Sequence, residues 1–198
     1  MTGCGTDPVP TGKQLYGEAK STYLEYREFV NELQVALHDG PWEIGQVGSY
    51  GMQPIRCEGG DGYYFSLHRN VRLDGSKPEA YADITEHFLT QKGLAPTRGT
   101  LGSDDQAGQV IQVSVHDEEG FSTLLVEFRK NGNIGISADT TCSPGDSYEL
   151  SALLFGGMYL SEGYLPVDTE SPRDPLFFGI TPGDPQFVRE TPAPAPTP

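Results

Sequence analysis

The groups able to carry acid–base, nucleophilic or metal chemistry in this 198-residue chain are four histidines, three cysteines and 28 carboxylates. None of His38, His68, His87 and His116 stands at metal-ligand spacing from another His or Cys, and HExxH is absent. His116-Asp117-Glu118-Glu119 sets a base beside carboxylates, but on an expected hairpin turn, where charged side chains are solvated. Gly48-Ser49-Tyr50-Gly51 lacks the strand-to-helix setting of a nucleophile elbow. Neither GxGxxG nor GxxxxGK[ST] occurs, so nucleotide cradles are not expected. The carboxylates are numerous enough for a glycosidase-type pair, yet they fall mostly on turns and helix faces. Asp104-Asp105 and Gly59-Gly60-Asp61-Gly62 lack the oxygen spacing of a calcium loop. No catalytic residue, metal or cofactor is called for, and the reading leans against an enzyme.

The cysteines say more. Met1-Thr2-Gly3-Cys4 has the shape of a bacterial lipobox, with small residues before the cysteine and Met1 in the aliphatic place. Cleavage there leaves Cys4 as the first residue, carrying diacylglyceryl on its sulfur, with the apolar core of the signal expected upstream of Met1. The run GTDPVPTG that follows is a flexible tether. Cys57 and Cys142 remain as an even pair without CxxC spacing, and exported proteins use such pairs as disulfides.

A net charge of −15 and a pI near 4.5 argue against nucleic acid, whose binders need a basic face. No stretch approaches the roughly 20 apolar residues that span a bilayer; Ala152 to Leu160 is too short and holds two glycines. Leu15, Ala19, Thr22 or Tyr23, Tyr26, Val30, Leu33 and Leu37 recur at spacings of three and four, which predicts a long amphipathic helix. A capping box at Thr11 to Gln14 opens it and Gly40-Pro41 stops it. Strands follow at about Trp42 to Tyr50 and Tyr63 to Leu73. A second helix opens at the capping box Ser76 to Glu79 and closes at Gly93. Gln109 to Asp117, Ser122 to Lys130 and Asn133 to Cys142 then alternate as three strands, turned at Glu118-Glu119-Gly120 and at Asn131-Gly132. Asp146 to Glu149 caps a short third helix.

The expectation is an α+β fold in the order α-β-β-α-β-β-β, with an antiparallel sheet of about four to five strands and two main helices on one face. Residues 1–12 form the anchor and linker, 13–165 the domain, and 166–198 a proline-rich extension and disordered tail ending in TPAPAPTP. Trp42, Tyr50, Phe177 and Phe178 are aromatic enough to form a partner surface; the competing reading places them in the core.

With the helix ending at Gly40-Pro41-Trp42, the strand leading to Cys57, the helix closing on Lys92-Gly93-Leu94, and the meander ending at Ala138 to Gly145, the chain resembles a loose group of exported actinobacterial lipoproteins of unknown function. The resemblance spans roughly Cys4 to Leu154. It implies an envelope protein anchored to the outer face of the cytoplasmic membrane, with one disulfide, and it implies no activity. A non-catalytic binding or scaffolding module facing another envelope protein or a cell-wall ligand is the expected role. An envelope hydrolase with a carboxylate or His116 centre is the alternative.

Overall fold

A computed structural model describes residues 8–44, 50–75, 77–102, 108–157 and 168–180. Helix α1, Gly12–Leu37, rises about 39 Å at 1.5 Å per residue. Leu15, Ala19, Tyr23, Tyr26, Val30, Leu33 and Leu37 are buried, so Tyr23 rather than Thr22 continues the stripe. Glu18, Glu25, Glu28 and Glu32 are exposed on the other side. The expected capping box does not form. The Thr11 side chain makes no cap bond; the Gly12 N–H donates instead to Glu149 Oε1 at 2.6 Å, a carboxylate from a distant helix at the positive end of the helix dipole.

Strands β1 (Trp42–Glu43), β2 (Ile55–Arg56), β3 (Tyr63–Tyr64) and β4 (Ser66–Arg72) precede helix α2, Pro78–Gln91. Proline at the start of α2 gives up an N–H that has no helical partner there. Its end is a Schellman motif: Leu94 N–H donates to Leu89 O and Gly93 N–H to Thr90 O, both at 3.0 Å, with Gly93 at φ 86°. Strands β5 (Thr97–Leu101), β6 (Val110–Glu118), β7 (Phe121–Arg129) and β8 (Asn133–Thr140) come next. Helix α3 (Ser147–Phe155) and β9 (Thr169–Glu170) complete the order.

The fold is α+β, and the sheet is larger than expected: seven strands in the order β5-β6-β7-β8-β4-β1-β9, every pair antiparallel. β5 lies outside the expected strands because all five of its residues are exposed and no apolar alternation marks it. Pairing with β6 holds it at one edge, and Arg98 ties it to α2 through Glu79, Asp83 and Glu86. β9 is two residues long, too short for any pattern. The expected strand at Tyr63 divides at Phe65 into β3, which pairs with β2, and β4, which pairs with β8. Of the expected first strand, Trp42–Glu43 is observed, and residues 45–49 lie outside the described residues.

α1 and α2 cover one face of the sheet. Phe29 packs on Phe121 and Phe88, and Tyr81 stacks on Phe128. Val113, Val115, Leu124, Val126, Ile134, Ile136 and Ala138 supply the buried side of the meander. Its opposite side is polar and stays partly open. Thr97, Ser114, Leu125, Ser137 and His68 line up across five strands, with Gln112, Glu127, Gly135 and Asn70 in the adjoining row.

Candidate functional site

Of the four aromatics that the sequence leaves between a partner surface and the core, Trp42 and Tyr50 are buried and Phe177 and Phe178 are half-buried against the core. Trp42 is fully buried, its indole N–H donating to His38 O at 2.8 Å. Tyr50 is also buried, 5.2 Å from the ring of Phe177. Phe178 lies among Tyr16, Tyr23 and Phe65, at 5.3, 5.0 and 6.0 Å. Tyr16 Oη donates to Phe178 O at 3.1 Å. Residues 168–180, part of the proline-rich extension, fold back on the domain, and Phe177 and Phe178 pack against the core beside α1.

What holds that returning segment is a buried charge cluster. Glu170 of β9 places Oε1 between two guanidinium groups, 2.6 Å from Arg27 Nη2 of α1 and 2.8 Å from Arg69 Nε of β4. The three side chains are 8, 2 and 0% exposed respectively. Arg27 Nη1 also donates to the Tyr23 hydroxyl and the Tyr50 carbonyl, and Arg69 Nη1 to His68 O. Among the described residues these two cations share one anion. Burial, reinforced by the neighbouring Arg27 charge, pulls the Arg69 guanidinium below its ordinary range. Asn31 and Gln34 continue the line of Arg27 along α1 and are buried as well. The Gln34 amide nitrogen and oxygen, Asn31 Oδ1 and Arg27 Nε have no hydrogen-bond partner among the described residues.

The same packing perturbs four phenols. Burial pushes Tyr50 and Tyr63 up to about 12, with Glu170 and Glu18 respectively adding to the rise, and it raises Tyr23 and Tyr26 as well. A phenol whose folded value lies above its unfolded one, near 10, stabilises the fold fully below pH 10. That contribution is lost as pH climbs from 10 through 12. The expected result is cooperative alkaline unfolding between pH 10 and 12, with these tyrosines ionising together with the loss of ellipticity. Absorbance at 295 nm followed beside circular dichroism measures it; smooth ionisation of all ten tyrosines near pH 10 in a folded chain would contradict it.

Cys57 and Cys142 are joined in a disulfide. It fastens the β2–β3 hairpin to the chain leaving β8, where Tyr63 and Ser143 exchange backbone hydrogen bonds at 2.9 and 2.8 Å. Gly62 has to be glycine there: its φ is 109°, and a Cβ would stand 2.6 Å from Ser143 O and 2.7 Å from Cys142 Sγ. Beside the disulfide opens a cleft of about 410 Å³, lined by Val9, Arg56, Asp61, Pro144, Asp146 and Tyr148 among others. Asp146 is spent on capping α3, accepting from the N–H groups of Tyr148 and Glu149 at 2.8 Å each. Tyr148 is 73% exposed. A shallower groove of about 790 Å³ runs between α1 and Pro172–Leu176, with Glu28, Asn31, Glu32, Arg173 and Asp174 on its walls.

His116 is exposed on β6, and Glu118 from the same run accepts the Ala95 N–H at 2.9 Å. His68 is exposed on β4, its Nδ1 2.8 Å from Ser137 Oγ. Among the described residues no group of three or more His, Cys, Asp or Glu converges as a metal site. Cys4, Asp104 and Asp105 lie outside the described residues. No described helix is long and apolar enough to cross a membrane. No protein-family model, curated protein or solved structure matches the chain.

Proposed function

We propose that the protein is a lipid-anchored module of the cell envelope, tethered through Cys4 to the outer face of the cytoplasmic membrane. In this reading it binds another envelope protein or a cell-wall ligand and performs no chemistry itself. The observation that carries the reading is the Cys57–Cys142 disulfide, a bond that persists in oxidising compartments. It secures the end of the domain that also holds Val9, five residues from Cys4. For the contact surface, the open side of the sheet offers rows that include hydroxyl, amide and imidazole groups on an antiparallel scaffold.

The test is the intact mass of the protein from its host's membranes, alkylated before any reduction. A fatty-acylated chain beginning at Cys4, with Cys57 and Cys142 unlabelled, is the expected species. A chain that keeps Met1 and carries three alkylated thiols would end the envelope reading.

A further inference from the structure

The sequence of α3, SYELSALLF, is apolar nearly all round. Leu150, Leu154 and Phe155 are buried against the domain. Its outer side presents Tyr148 at 73% exposure and Leu153 at 43%, with Ala152 exposed between them. Glu149, the one ionisable side chain in the helix besides Tyr148, is turned to the Gly12 N–H. On a chain of net charge −15, an exposed helix face without a free charge calls for something to cover it. Across the adjoining cleft stand Val9, 63% exposed, and Arg56, whose Nε donates to Gly60 O at 2.9 Å.

The position of Cys4 says what that cover is. Five residues separate it from Val9, and five residues reach at most about 17 Å. A lipid on Cys4 therefore holds this end of the domain within reach of phospholipid headgroups. The composition suits that depth: a tyrosine ring has an apolar body and a polar tip, and an arginine keeps its charge at phosphate level while its stem lies on apolar surface. Short tethering also supplies a high effective concentration, so a patch of a few side chains suffices.

We propose that the outer face of α3, with Val9 and Arg56 across the cleft, is the membrane-facing surface of the tethered protein, seated at headgroup level. The inference rests on a tether at Cys4, and its test supplies that tether synthetically. Cys4 is the only cysteine outside the disulfide, so the full chain couples through it alone to a maleimide phospholipid in phosphatidylcholine vesicles with brominated acyl chains. Tyr148→Trp is compared with Leu101→Trp on edge strand β5, where Leu101 is 54% exposed. Buried Trp42 gives the same background in both. Tyr148→Trp emission should fall about twofold against unbrominated vesicles, as for an aromatic at the interface, and Leu101→Trp should hold. Adding Leu153→Glu to Tyr148→Trp should cancel the quenching while leaving the melting temperature unchanged. Equal quenching at both positions, or none in Tyr148→Trp, overturns the proposal; the second result is what a face reserved for a protein partner gives. Neither depends on whether the host acylates Cys4, which the intact mass decides separately.

Discussion

Glu170→Gln is expected to destabilise the protein by about 3–5 kcal/mol, the usual cost of removing one partner from a buried ion pair. For a domain of this length that lowers the melting temperature by roughly 6–20 °C. Glutamine preserves the volume and leaves an oxygen to accept, so packing is not what is lost. Arg27 and Arg69 remain buried with no anion between them. They cannot shed protons to relieve one another, because guanidinium stays charged throughout the accessible pH range. Nor can they reach water without releasing β9, which is held by only two paired residues, Trp42↔Glu170 and Glu43↔Thr169. The segment through Ile180 should therefore loosen first, uncovering Phe178 and the rings of Tyr23 and Phe65 that it seals. A companion variant separates charge from geometry. Arg27→Met, Arg69→Met and Glu170→Leu together remove the whole cluster, and replacing a buried ionic triad by apolar groups is often neutral or stabilising. The triple variant should melt above Glu170→Gln. Thermal and urea melts of both decide it: a Glu170→Gln change below 1 kcal/mol would mean that water reaches the cluster and that the segment is held by its aromatics alone.

This cluster shows where the sequence was readable and where it was not. In the run Leu67-His68-Arg69-Asn70-Val71, Arg69 has the same parity as two core residues, and on α1 Arg27 sits between Tyr26 and Val30. Neither arginine is singled out among the residues expected from sequence, though the position of each is the signal that points it inward. Their partner has no such signal, because Glu170 lies 101 residues beyond Arg69 in a segment with no periodicity of its own. The same limit explains the aromatics. The types of Trp42, Tyr50, Phe177 and Phe178 fit either a core or a contact surface; that Phe177 meets Tyr50 and Phe178 meets Tyr23 depends on where residues 168–180 return, which is tertiary information. The elements read correctly were those whose local signals agree. β6, β7 and β8 alternate strictly and are joined by tight turns, so their register follows from chain order. Edge strand β5 carries no such signal, since neither of its faces is buried. Gly12 is capped by Glu149 across 137 positions, so the capping box failed for the same reason.

Removing the disulfide by Cys57→Ser with Cys142→Ser should cost up to about 4–5 kcal/mol, the chain-entropy value for a closed loop of this length. The separation is 85 residues, and the loop encloses β3 through β8, most of the sheet. The loss should be uneven. β2 and β3 are two residues each and pair only with one another, Ile55↔Tyr64 and Arg56↔Tyr63, and an isolated hairpin is marginal in water. Besides the disulfide, the exchange between Tyr63 and Ser143 fastens it to the domain. Amide exchange in residues 55–64 and 142–146 should accelerate before that of β6–β8, whose strands are paired on both sides. Urea melts of the parent with and without reductant, beside the double serine variant, measure the global term, and exchange mass spectrometry measures the local one. Matching midpoints together with unchanged exchange would show that the Tyr63 side chain, buried in the core, anchors this end unaided. A selective loss at the hairpin would instead give the bond a local purpose. Arg56 and Asp61 line one wall of the cleft and Pro144 to Tyr148 the other, so the bond that joins the two walls is what fixes the shape of this cleft.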